Sequence, residues 1–224
     1  MLSIVSTPIG NLKDITLRSL DALRECELIA CEDTRVTGQL LKLLDLPKKE
    51  LISLHSYSDP AKADAVIERL KKGATVCLVS DAGTPGISDP GYLLISKARA
   101  ADIKIEVLPG ASAFLAALSA SGLPINHFRY LGFLPIKKGR QTLLKSFIEE
   151  ADTIVFYESP HRIQKTLSEL AQVLADQPER VIVIARELTK LHEEVIRTTV
   201  EQLPMVVGSM MVKGEFVVIV AGNQ

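Results

Sequence analysis

The chain has 224 residues, 47% of them hydrophobic and 24% charged, and its 26 basic and 27 acidic side chains leave a formal charge of −1. That length is about one and a half domains at ~150 residues each, with enough apolar material for a sizeable core. With 13 glycines and 11 prolines the chain is neither collagen-like nor a flexible linker, and its even charge excludes a protein that grips nucleic acid through non-specific phosphate contacts alone.

Residues 1–8 carry no basic leader and break at Pro8, which predicts a strand over residues 2–6 rather than a signal peptide, and a cytoplasmic protein. Residues 16–25 place leucines at 17, 20 and 23 behind a threonine cap, the spacing of one helical face. Residues 28–31 predict a buried strand, 37–44 and 61–72 helices, 75–80 a strand, 91–101 a helix and 104–108 a strand. This alternation implies βαβ units and a mostly parallel sheet. A turn over residues 122–127 interrupts it. Beyond lie a strand at 128–133, a helix at 140–150, a strand at 153–157, a helix at 160–175 and a strand at 181–185. Strands at 194–197 and 215–220, with only a short helix between them, predict antiparallel pairing. The chain therefore divides into two α/β lobes, 1–122 and 123–224, and a cleft between lobes is the default ligand site. No apolar run approaches the ~20 residues of a membrane helix. Cys26, Cys31 and Cys77 form no C-x-x-C pair and suit buried thiols in a reducing compartment.

Absent motifs narrow the chemistry. No Gly-x-Gly occurs, which removes the dinucleotide fingerprint and the glycine-rich turn of common Rossmann-type methyltransferases, and there is no Walker A sequence. His192-Glu193-Glu194 lacks the second histidine of a zinc helix, so no metal is expected. Gly110-Ala111-Ser112-Ala113-Phe114 lacks the last glycine of a nucleophile elbow. The most informative stretch is residues 79–91, a turn with three glycines and two prolines between a buried strand and a helix. It falls at the carboxyl end of the sheet, where open α/β folds bind ligands and where glycine backbone can approach a small molecule closely. Residues 108–113 run a second strand into a helix whose N–H groups either hold a ligand or simply begin a core helix. Glu32-Asp33-Thr34-Arg35 follows another strand, as catalytic groups or as a helix cap. Residues 157–162 and 185–190 end strands in the second lobe with charged clusters, and Lys137, Lys138 and Arg140 gather three cations after the lobe junction.

Taken together, Thr7-Pro8-Ile9-Gly10-Asn11-Leu12, Glu32-Asp33-Thr34-Arg35, residues 80–91, Pro109-Gly110, Gly132-Phe133-Leu134-Pro135, residues 156–162 and residues 186–190 resemble the ribosomal RNA small subunit methyltransferase I family, the ribose-methylating branch of the tetrapyrrole methylase superfamily. The resemblance runs in order from residue 2 to residue 222. It implies a two-lobed tetrapyrrole-methylase-like α/β fold, with a mostly parallel N-terminal sheet and a mixed C-terminal sheet, that binds S-adenosylmethionine in the interlobe cleft, commonly as a homodimer. The implied reaction is 2′-O-methylation of a cytidine in the decoding region of 16S ribosomal RNA, with the small ribosomal subunit as substrate. Carried over by position, the cofactor pocket would include Ile9, Gly83, Thr84, Ile87, Ser112 and Ala113, with Tyr157, Ala185 and Glu215 from the second lobe. Longer members of the family continue past the last strand with a helical tail, whereas this chain ends at Asn223-Gln224.

The expected reaction is a direct, metal-free displacement in which the ribose hydroxyl attacks the sulfonium methyl. Alignment would supply up to ~7–11 kcal/mol. A carboxylate accepting the hydroxyl proton would add ~10²–10⁴-fold, with Glu32, Asp33 and Glu187 as catalytic candidates. Arg35, Lys137, Lys138, Arg140, Arg162 and Lys190 are the candidate RNA contacts. Two alternatives stand beside this reading: a sister methylase acting on a tetrapyrrole carbon, and a non-catalytic S-adenosylmethionine-binding assembly factor. The absence of tryptophan and an aromatic content of 4% count against a macrocycle clasp.

Overall fold

The computed structural model describes residues 1–54, 60–88 and 91–223. Asp89 and Pro90, within the long turn singled out above, lie outside the described residues. The chain divides into two compact units, Met1–Ser112 and Ala113–Gln224. The division falls before the helix that precedes the turn at 122–127, because that helix packs on the sheet of the second unit.

The first unit is a five-stranded sheet of β1 (Leu2–Val5), β2 (Leu28–Cys31), β3 (Glu50–Ser53), β4 (Val76–Leu78) and β5 (Ile105–Leu108), in the order β3-β2-β4-β1-β5. Every pairing is parallel. The strands β1, β2 and β4 are buried along their whole length, which is why they read as continuous apolar runs. The edge strand β3 was not predicted. Its Glu-Leu-Ile-Ser sequence is half exposed and carries neither an apolar run nor a clean alternation.

Right-handed crossovers then place the helices. From β1 the chain moves across β4 to β2 through α1 (Leu17–Glu25), and on to β3 through α2 (Thr34–Leu43). It returns through α3 (Pro60–Lys71) and α4 (Tyr92–Ala100) in the opposite direction, and so over the opposite face. The two cores match: Leu23 of α1 and Leu41 of α2 pack with Val5, Ile29 and Cys77, whereas Val66 and Leu70 of α3 and Leu94 of α4 pack with Leu2, Leu28 and Leu78. Thr16 caps α1 by accepting from the Ser19 amide at 3.1 Å. Asp33 caps α2, so that helix begins three residues earlier than its apolar spacing suggests.

The second unit holds β6 (Phe128–Phe133), β7 (Thr153–Glu158), β8 (Val181–Arg186), β9 (Glu194–Thr199) and β10 (Phe216–Val220), in the order β6-β7-β10-β8-β9. Only β6 and β7 run parallel; the other three pairings are antiparallel. One face carries α6 (Arg140–Ser146), α7 (Ile163–Val173) and α8 (Leu203–Ser209), whose Leu144, Leu167, Leu170 and Leu203 pack with Ile154, Phe156, Ile184 and Val218. The other face takes α5 (Ala113–Ser121). The helix expected over 140–150 ends at Ser146. Both sheets fit the expected fold, one wholly parallel and one mixed. Among the described residues no helix is long and apolar enough to cross a membrane.

Candidate functional site

In the first unit β1 and β4 are neighbours whose connections leave in opposite directions, and the loops beyond their carboxyl ends meet there. Thr7 and Gly83 form an isolated bridge: the Thr7 amide donates to the Gly83 carbonyl at 2.9 Å and the Gly83 amide to the Thr7 carbonyl at 3.1 Å. The hydroxyl of Thr7 donates to the Ser80 carbonyl at 3.2 Å, and that of Ser80 to the Gly83 carbonyl at 3.2 Å. Ser6 Oγ lies 3.0 Å from Thr84 Oγ1, which donates onward to the Ala111 carbonyl at 3.1 Å. Three loops are thus laced by hydroxyl-to-backbone bonds. Gly83 takes φ +85°, and a Cβ there would come within 3.3 Å of Ile9 Cγ2, so neither the torsion nor the packing favours a side chain. Gly110 is held still tighter, since its Cβ would sit 2.7 Å from Ser6 Cβ. Ile9 and Gly83 are buried, Thr84 and Ser112 half-buried and Ile87 exposed, so the first-unit candidates surround one loop system. Ala113 opens α5 in the second unit.

The donor set has a clear chemistry. Residues 6–10, 80–88 and 109–112 contain no lysine or arginine, and Asp81 is their one charged side chain. Such loops suit a small ligand with neutral hydrogen-bonding groups and a positive centre. They do not suit a polyphosphate, which needs cations or an anion-binding glycine loop. A sulfonium compound such as S-adenosylmethionine has the favoured character. Among the described residues no group of His, Cys, Asp or Glu could hold a metal ion.

The Glu32-Asp33-Thr34-Arg35 segment follows β2 on the same edge. The Asp33 carboxylate accepts from the Arg35 amide at 2.8 Å and from Arg35 Nη2 at 2.6 Å, and the Asp33 amide donates to Asp81 Oδ1 at 3.1 Å. Hydrogen bonds from Arg35 hold the Asp33 carboxyl down at about 2. Asp33 is therefore a cap with little affinity for a proton. Arg35 keeps its side chain 88% exposed. Glu32 is half-buried and its carbonyl accepts from Ser53 Oγ at 2.9 Å.

In the second unit Glu187 takes φ +51° and Thr189 φ +67°, left-handed torsions for two residues with bulky side chains. The reason for the first is a latch. The Glu187 amide donates to the Glu215 carbonyl at 3.0 Å, and Glu187 Oε1 accepts from the Glu215 amide at 3.1 Å. Lys190 Nζ binds Glu187 at 2.8 Å and Glu215 at 2.9 Å. A Cβ on Gly214 would come 2.5 Å from Glu187 Cγ, so this carboxylate lies directly on glycine backbone. The Lys190 ammonium holds the Glu187 carboxyl below the usual range. Among the described residues Thr189 Oγ1 is the one buried side-chain oxygen or nitrogen without a hydrogen-bond partner. Ala185 lies inside β8 between Val217 and Val195 with 0% exposure, which removes it from the accessible surface.

Two of the candidate RNA cations are turned onto protein partners, Arg140 buried and Arg162 half-buried. Arg140 is 5% exposed. Its guanidinium binds Glu169 at 2.7 Å, Thr166 Oγ1 at 2.7 Å and the Pro135 carbonyl at 3.1 Å. Arg162 donates to the Leu134 carbonyl at 3.1 Å and pairs with Glu158 at 2.8 Å. Glu158, 2% exposed, also accepts from Thr166 Oγ1 at 2.7 Å and the Ser159 amide at 2.8 Å. The sequence reading grouped Glu158 with Arg162 at a strand end but not with Arg140, Thr166 and Glu169, which join them from α6 and α7 at no fixed spacing. Lys137 and Lys138 are exposed, as expected. Tyr157 is half-buried, its ring 5.7 Å from Tyr130 and 5.5 Å from Phe133.

The family model described as tetrapyrrole (corrin/porphyrin) methylases matches residues 1–204. A ribosomal RNA small subunit methyltransferase I of Haemophilus influenzae is 45% identical over all of this chain and 79% of its own length. The protein of the same name in Escherichia coli O157:H7 is 46% identical over 100% of this chain and 78% of its own. Among solved structures, a cobalt precorrin-4 methyltransferase superposes with a TM-score of 0.71 at 16% identity, covering 98% of this chain and 94% of that one. A uroporphyrin-III C-methyltransferase of Thermus thermophilus, complexed with S-adenosylhomocysteine, gives a TM-score of 0.64 at 18% identity, covering 98% and 96%.

Proposed function

We propose, because this chain belongs to the ribosomal RNA small subunit methyltransferase I family of the tetrapyrrole methylases, that it transfers a methyl group from S-adenosylmethionine to the 2′-hydroxyl of a cytidine ribose in the decoding region of 16S ribosomal RNA. The carrying observation is identity of 45% along the whole chain to a protein of that name, against 16% to a corrin methylase of the same fold. The substrate is the small ribosomal subunit, and the enzyme works in the cytoplasm as a homodimer.

S-adenosylmethionine, when bound, supplies a methyl group on a positively charged sulfur that becomes neutral as the methyl leaves. Ile9, Gly83, Thr84, Ile87 and Ser112 would hold it. Gly83 gives backbone access, the interlocked hydroxyls of Ser6, Thr7, Ser80 and Thr84 keep the loops from shifting, and Ile9 and Ile87 exclude water. A rigid cradle serves a displacement well, since its rate depends on alignment of the reacting atoms. Of the three candidate carboxylates, Asp33 is held down by Arg35 and Glu187 by Lys190. Both are poor proton acceptors for that reason. Glu32, half-buried directly beyond the carboxyl end of β2 with its carbonyl held by Ser53 Oγ, is our assignment for the group that takes the ribose hydroxyl proton. Lys137, Lys138 and Arg35 are the accessible cations for RNA phosphates, whereas Lys190 is balanced by two carboxylates.

Incubation with methyl-labelled cofactor and unmethylated small subunits tests the reading. Label in the RNA supports it. Label only in a corrin or porphyrin precursor assigns the sister activity, and no transfer to either assigns a non-catalytic binding role.

A further inference from the structure

The chain has ten aromatic side chains, six Phe and four Tyr, and five of them form one cluster in the second unit. Phe114 of α5 lies 6.2 Å from Phe128 and 4.4 Å from Tyr130; Tyr130 meets Tyr157 edge-on at 5.7 Å, and Tyr157 meets Phe133 at 5.5 Å. A purely structural cluster would bury its rings, yet the last in the row, Phe133, is 55% exposed.

Two devices present that ring. First, β6 carries one extra residue against β7: Tyr130 pairs with Val155, and Phe133, not Gly132, pairs with Tyr157. Gly132 absorbs the irregularity at φ +61°. Without the bulge a glycine would oppose Tyr157, so the bulge puts an aromatic ring there instead, a re-aiming typical of bulges beside functional sites. Second, the chain after Phe133 is pinned from beneath. Arg162 holds the Leu134 carbonyl and Arg140 the Pro135 carbonyl, both at 3.1 Å, and both arginines are anchored by the buried Glu158 cluster. Four and five residues beyond Phe133 on this segment stand the exposed Lys137 and Lys138.

We propose that Phe133, backed by Tyr157, is a stacking platform for an unpaired base of the RNA substrate, with Lys137 and Lys138 holding the neighbouring phosphates. The inference rests on the RNA-methylating reading above and adds to it the group that receives a base. A fixed aromatic face beside mobile cations is the combination by which proteins hold single-stranded nucleic acid, since every base has a π-face and every nucleotide a phosphate. The anchored arginines make the platform rigid, so stacking orders little that was free before.

The test uses the full chain, unmethylated small subunits and labelled S-adenosylmethionine, with Phe133→Ala, Phe133→Leu and Phe133→Tyr. Phe133→Ala is expected to raise KM for the subunit ~10-fold or more. Phe133→Tyr should stay close to wild type and Phe133→Leu should resemble the alanine variant, with Kd for the cofactor and the oligomeric state unchanged in all three. An unaltered KM in Phe133→Ala overturns the platform, as does full rescue by leucine, which would leave only apolar contact. Weakened cofactor binding would place adenine on the ring, and dissociation into monomers would make it an interface between copies; either result also overturns it. If the wild-type chain transfers no label to RNA, the enzymatic reading falls first and the platform with it. Transfer by wild type and by Phe133→Ala with equal KM removes the platform alone.

Discussion

The two units present opposite chemistries, each along one edge of its sheet. In the first, three loops are interlocked through backbone groups and neutral hydroxyls around Gly83, and their sequences contain no lysine or arginine. In the second, the edge carries Glu158, Arg162, Glu187, Lys190 and Glu215 in charged clusters beside the rings of Tyr157 and Phe133. Backbone-lined loops discriminate by shape and tolerate little substitution, whereas charges and aromatic faces suit a large, anionic, stacked partner. The difference teaches where a small ligand and a macromolecule each find matching surfaces on one chain.

Gly83→Val should break the first half of that comparison with the largest effect. It forces a β-branched residue to φ +85° against Ile9, which costs about 1–2 kcal/mol in backbone strain and displaces the loop proposed to hold the cofactor. Calorimetry should detect no cofactor binding. Gly83→Ala, which adds the smallest side chain, should weaken binding in a protein that still melts cooperatively.

Glu158→Leu attacks the second half. It strips the carboxylate from the half-buried Arg162 and leaves the buried Arg140 with Glu169 alone, a change worth about 3 kcal/mol, the low end for breaking a buried pair. For a chain of this size that lowers Tm by roughly 10 °C. Simultaneous replacement of Glu158 and Arg162 by apolar residues should recover part of the loss.

Glu32→Gln should reduce single-turnover methylation ~10²-fold or more with saturating cofactor. Asp33→Asn and Glu187→Gln should reduce it far less, since their carboxylates are engaged by Arg35 and Lys190. Equal losses in all three would erase the distinction between proton acceptor and structural anion.

The smallest effect concerns acid stability. The folded pKa of Asp33, about 2, lies below the ordinary 3.8, so its ionised form favours the folded state fully above the higher value. That contribution fades as pH falls through the window and is gone below the lower value. Thermal melts should show a shallower acid limb for Asp33→Asn, with the two proteins differing at neutral pH and converging as pH falls through this window.

Among the described residues, sequence periodicity located nine of the ten strands, because buried strands such as Leu28–Cys31 and Phe216–Val220 are continuous apolar runs. It failed at β3, whose half-exposed edge position leaves no such run. Loop positions were equally legible: a glycine-rich turn after an apolar strand lands at the sheet's carboxyl end by topology alone. The fate of each charged side chain was not. Lys137, Lys138 and Arg140 form one basic run, yet α6 turns Arg140 inward onto Glu169 while both lysines stay in water. Likewise Glu32 and Asp33 are adjacent, and only the second is consumed as a helix cap. Such differences depend on long-range partners, which no local spacing encodes.

Nucleoside mass spectrometry of 16S ribosomal RNA, after treatment of unmethylated small subunits with the enzyme and S-adenosylmethionine, tests the central claim most directly. The expected product is 2′-O-methylcytidine, present with wild type and strongly reduced with Glu32→Gln. Methylation on a base, or RNA left unmethylated beside an active wild-type cofactor-binding signal, would contradict it.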